Sequence, residues 1–189
     1  MTEEKVRCFG TGDELYERYH DTEWGRPLAA SPDERELFER IVLEGFQSGL
    51  SWLTILRKRE AFRSAFDGFA PGIVARYGAD DVARLLGDAR IVRNRLKVNA
   101  AVANAQALVQ LHETGGQLAS ILDEHRPPPR ARAATLAELP TRTPESEELA
   151  KRLKGLGFRF VGPTTMYALM QAVGIVDDHL AGCWLARRE

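Results

Sequence analysis

The amino-acid sequence predicts an all-α fold. Apolar residues recur three and four positions apart through most of the 189-residue chain, which is the period of an amphipathic helix. Helix-start signals, in which Ser or Thr is followed by Pro and an acidic residue, precede two of these segments. The short segment 158–161 is the only candidate strand, because no useful run alternates apolar and polar residues elsewhere.

Several helices are predicted in the first two thirds of the chain. Residues 31–34 (Ser-Pro-Asp-Glu) resemble a capping box with proline at the first helical position. Ser51 is expected to cap the next helix, and Asp80 or Asp81 to begin another. Residues 97–111 are rich in alanine, valine and leucine, which predicts a buried helix.

The remaining helices follow a proline-rich break. Residues 126–130 (Arg-Pro-Pro-Pro-Arg) predict a stiff polyproline connector. After it, Thr143 is expected to start one helix, and Thr164 or Thr165 a last helix that Gly174 ends. We expect a single domain over residues 1–189, with a larger helical part over about 1–125 and a C-terminal part over about 131–189.

Composition limits the class of protein. Hydrophobic residues at 44% and charged residues at 28% are typical of a soluble globular chain. No apolar run approaches the roughly 18 residues of a membrane span, and the first residues lack the apolar run of a signal peptide. We therefore expect a cytoplasmic protein. The net charge of −1 argues against an indiscriminate polyanion binder, although basic clusters at 90–97, 126–132 and 151–159 suit either a docked nucleic acid or solvated helix faces.

Two cysteines and two histidines near opposite ends of the chain form a candidate zinc site. A reducing cytoplasm disfavours a disulfide between Cys8 and Cys183. His179 and Cys183 lie one helical turn apart, whereas Cys8 and His20 need a loop that folds back. Two thiolates and two imidazoles make a closed tetrahedral set that suits one structural zinc ion per chain. The alternative is two buried cysteines and two hydrogen-bonded histidines, and the spacing alone does not decide.

Aromatic and polar side chains are dense in residues 15–25 and 44–52. Glu44 falls on an otherwise apolar helix face, where a buried carboxylate is costly unless it is hydrogen-bonded. We therefore expect Glu44 to meet a ligand or a network partner, with tyrosines and tryptophans stacking on a flat heterocycle. The alternative, a core aromatic cluster with a glutamate at its rim, is favoured by periodicity alone.

A glycine-containing hairpin over residues 155–165 leads into the last predicted helix. Backbone N–H groups at a helix N-terminus can bind a phosphate, aided by the helix dipole. An ordinary helix–helix turn also uses glycines, so the preceding basic residues 151–154 are what favour a phosphate contact.

Three unusual strings occur in order along the chain. They are Tyr-His-Asp-x-Glu-Trp-Gly at 19–25, Leu-Glu-Gly-x-Gln-x-Gly-Leu-Ser-Trp at 43–52, and Phe-Arg-Phe-Val-Gly-Pro-Thr-Thr at 158–165. The last continues into Met-Gln-Ala-Val-Gly-Ile-Val-Asp-Asp-His at 170–179. Together they resemble the bacterial 3-methyladenine DNA glycosylase I (Tag) family from Cys8 to Cys183. The resemblance implies a helix-hairpin-helix glycosylase fold and a monomer that hydrolyses the N-glycosidic bond of 3-methyladenine in alkylated double-stranded DNA by base flipping.

The resemblance also implies roles for individual residues. The structural zinc site of the family matches Cys8, His20, His179 and Cys183. Glu44 matches the base-recognising carboxylate and is our candidate catalytic residue. The other base-binding positions match Tyr16, Tyr19, Trp24 and Trp52. Leu50, after Gly49, matches the residue that fills the DNA stack when a nucleotide leaves it. The hairpin residues expected to contact DNA are Gly162, Thr164 and Thr165.

The implied chemistry suits these residues. N3-methylation makes adenine cationic, so aromatic faces and Glu44 favour it over neutral adenine. A cationic base is already a good leaving group, and the family does not rely on the catalytic aspartate usual in helix-hairpin-helix glycosylases. Asp177 and Asp178 lie near the position of that aspartate; orienting His179 or capping a turn is their simpler role, and a catalytic role for either one is the alternative.

One departure and two alternatives stand beside the resemblance. Phe9 and Gly10 follow Cys8 where the family often has a tryptophan, so one wall of the base pocket is not predicted. The first alternative is a family member that only binds damaged DNA. The second is a zinc-stabilised interaction module that does not bind nucleic acid. The sequence does not reveal whether 3-methylguanine is also a substrate.

Overall fold

The computed structural model describes residues 5–29 and 32–186. These residues form helices and no β-strand, which confirms the all-α prediction. The helices are α1 (Glu14–Thr22), α2 (Glu34–Gln47), α3 (Trp52–Ala65), α4 (Pro71–Val74), α5 (Ala79–Gly87), α6 (Arg95–Glu113), α7 (Leu118–Glu124), α8 (Pro144–Gly155) and α9 (Pro163–Ala172). Single turns of 3₁₀-helix span Asp67–Phe69 and Leu136–Glu138.

Helix α2 lies at the centre of the fold. It packs against α3, α6, α7 and α9. Every residue from 37 to 46 is buried, including Glu39, Arg40 and Glu44. An α-helix surrounded by neighbours is usually apolar on all sides, so the three polar side chains that α2 buries need partners or a ligand.

Several predicted helix ends are confirmed. The Ser51 hydroxyl accepts a hydrogen bond from the Thr54 N–H at 3.2 Å, and the Thr143 hydroxyl accepts one from the Ser146 N–H at 3.3 Å. Helix α6 extends the predicted buried segment 97–111 by two residues at each end. Gly174 follows α9 with a φ of +67°, the left-handed conformation that ends helices.

Three predicted helix starts are wrong by a few residues. Helix α2 begins at Glu34 and Asp33 caps it, because an aspartate nearer the helix caps as well as a serine does. Pro32 therefore precedes the helix, and Ser31 lies outside the described residues. Helix α5 begins after Gly78, whose N–H donates to the Asp81 carboxylate at 3.1 Å. Helix α9 begins at Pro163 and precedes both predicted threonines, since proline is favoured at the first helical position.

The predicted strand at 158–161 is also wrong, and one important helix was not predicted. Residues 158–161 form a loop between α8 and α9 in which Phe160 has a φ of +56°, far from extended backbone. Helix α1 begins where Asp13 accepts from the Tyr16 N–H at 3.0 Å. Its aromatic residues indicate a pocket, but their three-residue spacing is also typical of a helix face.

The proline-rich connector 126–130 is tied to the end of the chain by its two arginines. Arg126 Nη1 donates to the carbonyls of Gly174 and Ile175 at 3.1 Å each. Arg130 Nη2 donates to the Tyr167 hydroxyl at 2.6 Å. One core cluster contains buried residues from both sides of this connector. Within residues 5–29 and 32–186, no helix combines the length and the hydropathy that a membrane crossing requires.

Candidate active site and metal centre

A cleft of about 200 Å³ opens between α1, α2, the start of α3 and α9. Its lining residues are Phe9, Tyr16, Tyr19, Trp24, Glu44, Gln47, Trp52, Leu136, Leu139, Ala168, Gln171 and Ala172. The structure thus brings together all five residues that the sequence assigned to base binding. A concave, largely apolar site with few polar groups is the usual form of a small-molecule pocket.

Aromatic rings make the walls of the cleft. The centroids of Phe9 and Tyr16 are 4.8 Å apart, those of Phe9 and Trp24 are 5.0 Å apart, and those of Tyr19 and Trp52 are 5.3 Å apart. These are ordinary contact distances for aromatic pairs, so each ring holds its neighbours in place. The Trp52 indole N–H is buried and has no hydrogen-bond partner. The cleft therefore offers fixed flat faces and a free donor.

Glu44 is the buried acid of this cleft. Its side chain is only 4% exposed, and its Oε2 atom has no hydrogen-bond partner. Burial raises the pKa of the Glu44 carboxyl to about 8, and the nearby Arg40 opposes this rise only in part. A buried acceptor without a partner is costly, whereas a cationic ligand beside it would favour the ionised form.

Arg40 is held by other partners, although its Nη1 atom, like Glu44 Oε2, is buried without a hydrogen-bond partner. Its Nη2 atom donates to Glu23 Oε2 at 2.5 Å, and its guanidinium lies 5.7 Å from the centre of the Tyr19 ring. Arg59 joins the same network by donating to Glu23 and to Glu39 at 2.5 Å each. This network supports the back of the Tyr19 ring while leaving Glu44 Oε2 free for a ligand.

Four further side chains converge behind the cleft. One ligand atom from each of Cys8, His20, His179 and Cys183 lies within 4.8 Å of the others, and all four residues are buried. Cys183 Sγ is 3.5 Å from His20 Nε2 and 3.6 Å from His179 Nδ1, and Cys8 Sγ is 3.6 Å from His179 Nδ1. Zinc bonds of about 2.3 Å to sulfur and 2.0–2.1 Å to nitrogen in a tetrahedron place these atoms about 3.5 Å apart. The donor set therefore fits a metal ion.

The local structure of these ligands differs from the sequence prediction. Residues 179–183 were expected to span one helical turn, but they lie in a non-helical turn in which the Cys183 N–H donates to the Leu180 carbonyl at 2.8 Å. His20 lies on α1 and not on a loop. The turn still brings the side chains of His179 and Cys183 to the same cluster, with Cys183 Sγ 3.6 Å from His179 Nδ1. Cys8 and His20 are brought together by the reversal that precedes α1.

Partners of the ligands orient them. His20 Nδ1 lies 2.9 Å from Asp21 Oδ1, while Nε2 faces the cluster, where the Cys8 N–H lies 3.3 Å away and a metal would bind. The backbone N–H of His179 donates to Asp177 at 3.1 Å, so Asp177 caps the turn. Burial raises the pKa of the Cys8 thiol to about 12 and lowers the pKa of His179 to about 4. A neutral imidazole is the form that binds metal, and a bound cation would ionise the thiol.

The metal cluster and the cleft share a wall. The Trp24 ring lies 4.8 Å from the His179 ring, and the Phe9 ring lies 5.1 Å from the His20 ring. Both aromatic residues also line the cleft. A metal ion bound to the four ligands would therefore fix the position of the aromatic wall without contacting a ligand in the cleft.

The other predicted site residues lie outside the cleft lining. Gly49 and Leu50 occupy the turn between α2 and α3, where Leu50 is 41% exposed. Gly162 is the N-cap of α9, and Thr164 and Thr165 lie in its first turn. Asp178 is fully occupied, since it accepts from Tyr167, Gln171 and Arg130.

Some residues of the cleft are not predicted from the sequence. Phe9 lies in the wall that the sequence left unassigned, and its position next to a candidate metal ligand was the available signal. Gln47 and Gln171 place side-chain amides at the cleft. Leu136 and Leu139 come from the 3₁₀ turn beyond the connector, and no periodicity or motif marks them in the sequence.

Comparison with known proteins identifies the family. The model of the methyladenine glycosylase family matches residues 9–187. DNA-3-methyladenine glycosylase 1 of Escherichia coli (strain K12) is 46% identical, over 90% of this chain and 91% of that protein. DNA-3-methyladenine glycosylase of Haemophilus influenzae is 41% identical, over 94% and 96% respectively.

Solved structures agree. The crystal structure of a 3-methyladenine DNA glycosylase I has a TM-score of 0.90 at 44% identity, covering 95% of this chain and 98% of that chain. The structure that describes 3-methyladenine recognition by the Staphylococcus aureus enzyme has a TM-score of 0.87 at 37% identity, covering 94% of each chain. The chain belongs to the methyladenine glycosylase family.

Proposed function

We infer that this protein is a DNA-3-methyladenine glycosylase, which hydrolyses the N-glycosidic bond of 3-methyladenine in alkylated DNA and leaves an abasic site. Relatives at 41% and 46% identity carry this name, and the Staphylococcus aureus structure concerns recognition of this base. The observation that carries the proposal is Glu44, an unpartnered buried acid in a cleft walled by aromatic rings.

The cleft suits a cationic purine. Flipping a base out of the duplex costs a few kcal/mol, least for a damaged base, and stacking and hydrogen bonds in the pocket offset that cost. Tyr16, Tyr19, Trp24 and Trp52 supply the aromatic faces, and Phe9 completes the wall. Glu44 becomes ionised beside the methylated base, because a neighbouring cation favours the carboxylate. Neutral adenine provides no such cation, so it gains less from the same site.

The reaction needs little catalytic assistance beyond recognition of the base, because the cationic base is already a good leaving group. The bond from the sugar C1′ to the base breaks with its electron pair on the base, which leaves as neutral 3-methyladenine. Water adds to C1′ and its proton passes to solvent. Glu44 holds the base in the pocket and is the residue to which we assign the catalytic effect. Asp178 has no role in bond breaking, since Tyr167, Gln171 and Arg130 occupy its oxygen atoms.

The DNA contacts lie on two surface segments. We propose that Leu50, exposed after Gly49 (φ +79°), fills the space left by the flipped nucleotide in double-stranded DNA. Helices α8 and α9 with their connecting loop form the helix-hairpin-helix unit, and Gly162, Thr164 and Thr165 contact a phosphate at the N-terminus of α9. One chain carries every proposed contact, so we propose that the active form is a monomer built as a single domain. We propose separately that it acts in the cytoplasm.

We propose that the metal is one structural zinc ion per chain. Two thiols and two imidazoles fill a tetrahedral zinc shell and leave no position for a reactive water. The ion joins the segment before α1 to the turn after α9. Because Trp24 and Phe9 pack on the ligands, the zinc ion maintains the wall of the cleft and takes no part in bond breaking.

The test of the function is release of free 3-methyladenine from methylated duplex DNA by the purified protein. Chromatography of the released bases would show 3-methyladenine and would also reveal whether 3-methylguanine is a substrate. Wild-type protein that shifts an abasic-site duplex but releases no base would instead establish a binding-only protein. Protein that neither releases base nor binds DNA in a salt-dependent way would contradict both functions.

A further inference from the structure

Helix α6 carries two buried polar side chains that the proposed mechanism does not use. Lys97 and Asn104 lie seven residues apart, which places them two turns apart on one face of the helix. Lys97 is 9% exposed and Asn104 is 2% exposed, and neither lines the cleft. Each makes its hydrogen bonds to the backbone of a different surface segment.

Lys97 holds the turn that presents Leu50. Its Nζ atom donates to the Phe46 carbonyl at 2.9 Å and to the Ser48 carbonyl at 2.6 Å, at the C-terminal end of α2. Carbonyls at this end of a helix lack helical partners, and a cation there also interacts favourably with the helix dipole. The Leu50 N–H closes the same turn on the Gln47 carbonyl at 2.6 Å.

Asn104 holds the loop between α8 and α9. Its side chain donates to the Arg159 carbonyl at 3.1 Å and accepts from the Arg159 N–H at 2.7 Å, so it satisfies both backbone groups of one residue. The next residue, Phe160, has a φ of +56° and is 37% exposed. A non-glycine residue keeps a left-handed conformation only where its surroundings enforce it, and such positions concentrate at ligand-binding loops.

The C-terminal part of α2, which leads into the Leu50 turn, meets the loop directly. A Cβ atom added to Gly45, near the end of α2, would lie 3.3 Å from the Phe160 Cβ. Gly45, Lys97, Asn104 and Phe160 surround one small space between α2, α6 and the loop. Helix α6 therefore sets the separation between the Leu50 turn and the loop that leads into α9.

We propose that Lys97 and Asn104 are positioning residues for duplex DNA. They fix the turn at 48–50 and the loop at 156–162 at one separation, so that Leu50 and the N-terminus of α9 engage the same duplex while the base lies in the cleft. This rests on the proposed function. Because neither residue touches the base, loss of either one should impair work on duplex DNA and leave recognition of the free base intact.

The experiment compares Lys97→Met with wild type in two assays on the full chain. Quenching of tryptophan fluorescence measures binding of free 3-methyladenine, and single-turnover kinetics measure its excision from a duplex. We expect Lys97→Met to slow excision at least about tenfold, as misplacement by a fraction of an ångström does, with free-base affinity within about twofold of wild type. Arg84→Met is the matched control, because Arg84 Nη1 donates to the Ala65 carbonyl at the end of α3. It should change neither measurement.

A double-mutant cycle with Leu50→Ala tests whether Lys97 acts through the turn. If it does, Lys97→Met should have little further effect on excision in the Leu50→Ala background. Asn104→Leu should weaken binding to an abasic-site duplex while keeping free-base affinity. Equal losses of free-base binding and excision in Lys97→Met, or an undiminished effect in the Leu50→Ala background, would overturn the proposal. Failure of the proposed function differs, because wild-type protein would then excise nothing, which would overturn both.

Discussion

Glu44 and Asp178 are both buried carboxyl groups, at 4% and 3% exposure, but their surroundings are opposite. Asp178 accepts hydrogen bonds from Tyr167 and Gln171 at 2.6 Å each and from Arg130 at 2.5 Å. Glu44 has an oxygen without any partner. A fully partnered buried acid belongs to the architecture, whereas an unpartnered one marks a place for a ligand.

The positions of the two acids explain the difference. Asp178 lies between α9 and the connector 126–130, so its ion pair with Arg130 joins two parts of the chain. Glu44 lies on the central helix and lines a cleft of aromatic rings, which carry no positive charge to pair with its carboxylate. The hydrogen bonds and the ion pair of Asp178 form when the chain folds, so they stabilise the folded protein. The unpartnered oxygen of Glu44 forms its favourable interaction only when a cationic ligand binds.

The largest expected effect is on catalysis at Glu44. Glu44→Gln keeps the size of the side chain and removes its ability to become an anion beside the methylated base. We expect excision of 3-methyladenine to fall by about a hundredfold or more, comparable to loss of one charge-stabilising group in an enzyme. Thermal stability should be unchanged or higher, because no protein partner is lost. Single-turnover excision and a melting curve provide the two measurements, and an unchanged rate would remove Glu44 from the site.

The converse change at Asp178 should act on stability. Asp178→Asn leaves Arg130 without its counter-charge and replaces an acceptor by a donor facing Tyr167 and Gln171. We expect the free energy of unfolding to fall by about 2 kcal/mol, because Asp178 loses hydrogen bonds to a buried charge while the Arg130 side chain, 40% exposed, can still reach water. Denaturant titration measures this. Excision at a temperature where the variant is folded should fall less than about tenfold. A loss of excision rate as large as that of Glu44→Gln would contradict the assignment of Asp178 to stability alone.

Removal of a metal ligand should lower stability without removing a group that contacts the base. Cys183→Ala deletes one of four ligands and should abolish binding of one zinc ion per chain, measured by elemental analysis. We expect the melting temperature to fall by about 6 °C, which corresponds to about 2 kcal/mol in a chain of this length. Zinc retained at one ion per chain in this variant would show that the four residues are not its ligands.

The sequence predicted the helical class and five residues of the cleft, but it did not assign Gln47 and Gln171, which lie in the same motifs and also line the cleft. It could not predict Leu136 or Leu139, because they reach the cleft only through the path of the connector after α7. The predicted start of α2 is wrong because both Ser31 and Asp33 are good N-cap residues, and the local sequence does not decide which of the two caps the helix. The strand at 158–161 failed because Asn104, fifty-five positions away, holds that backbone as a loop.

The smallest expected effect is on the pH dependence of stability, and it sharpens the comparison most directly. Burial raises the pKa of Glu44 from 4.5 to about 8, so the folded protein binds a proton that the unfolded chain has released in this range. The stabilising contribution is fully present below about pH 4.5 and is lost as the pH rises to about 8.

We therefore expect the unfolding free energy of wild type, measured relative to Glu44→Gln, to fall steadily between these pH values. Asp178→Asn retains Glu44, so it should show the same decline relative to an Asp178→Asn/Glu44→Gln double variant. Denaturant titrations at several pH values would measure both pairs. A flat difference in both pairs would mean that Glu44 is ionised in the free protein. The cleft would then hold a carboxylate before the base arrives, and that charge would itself favour a cationic base over neutral adenine.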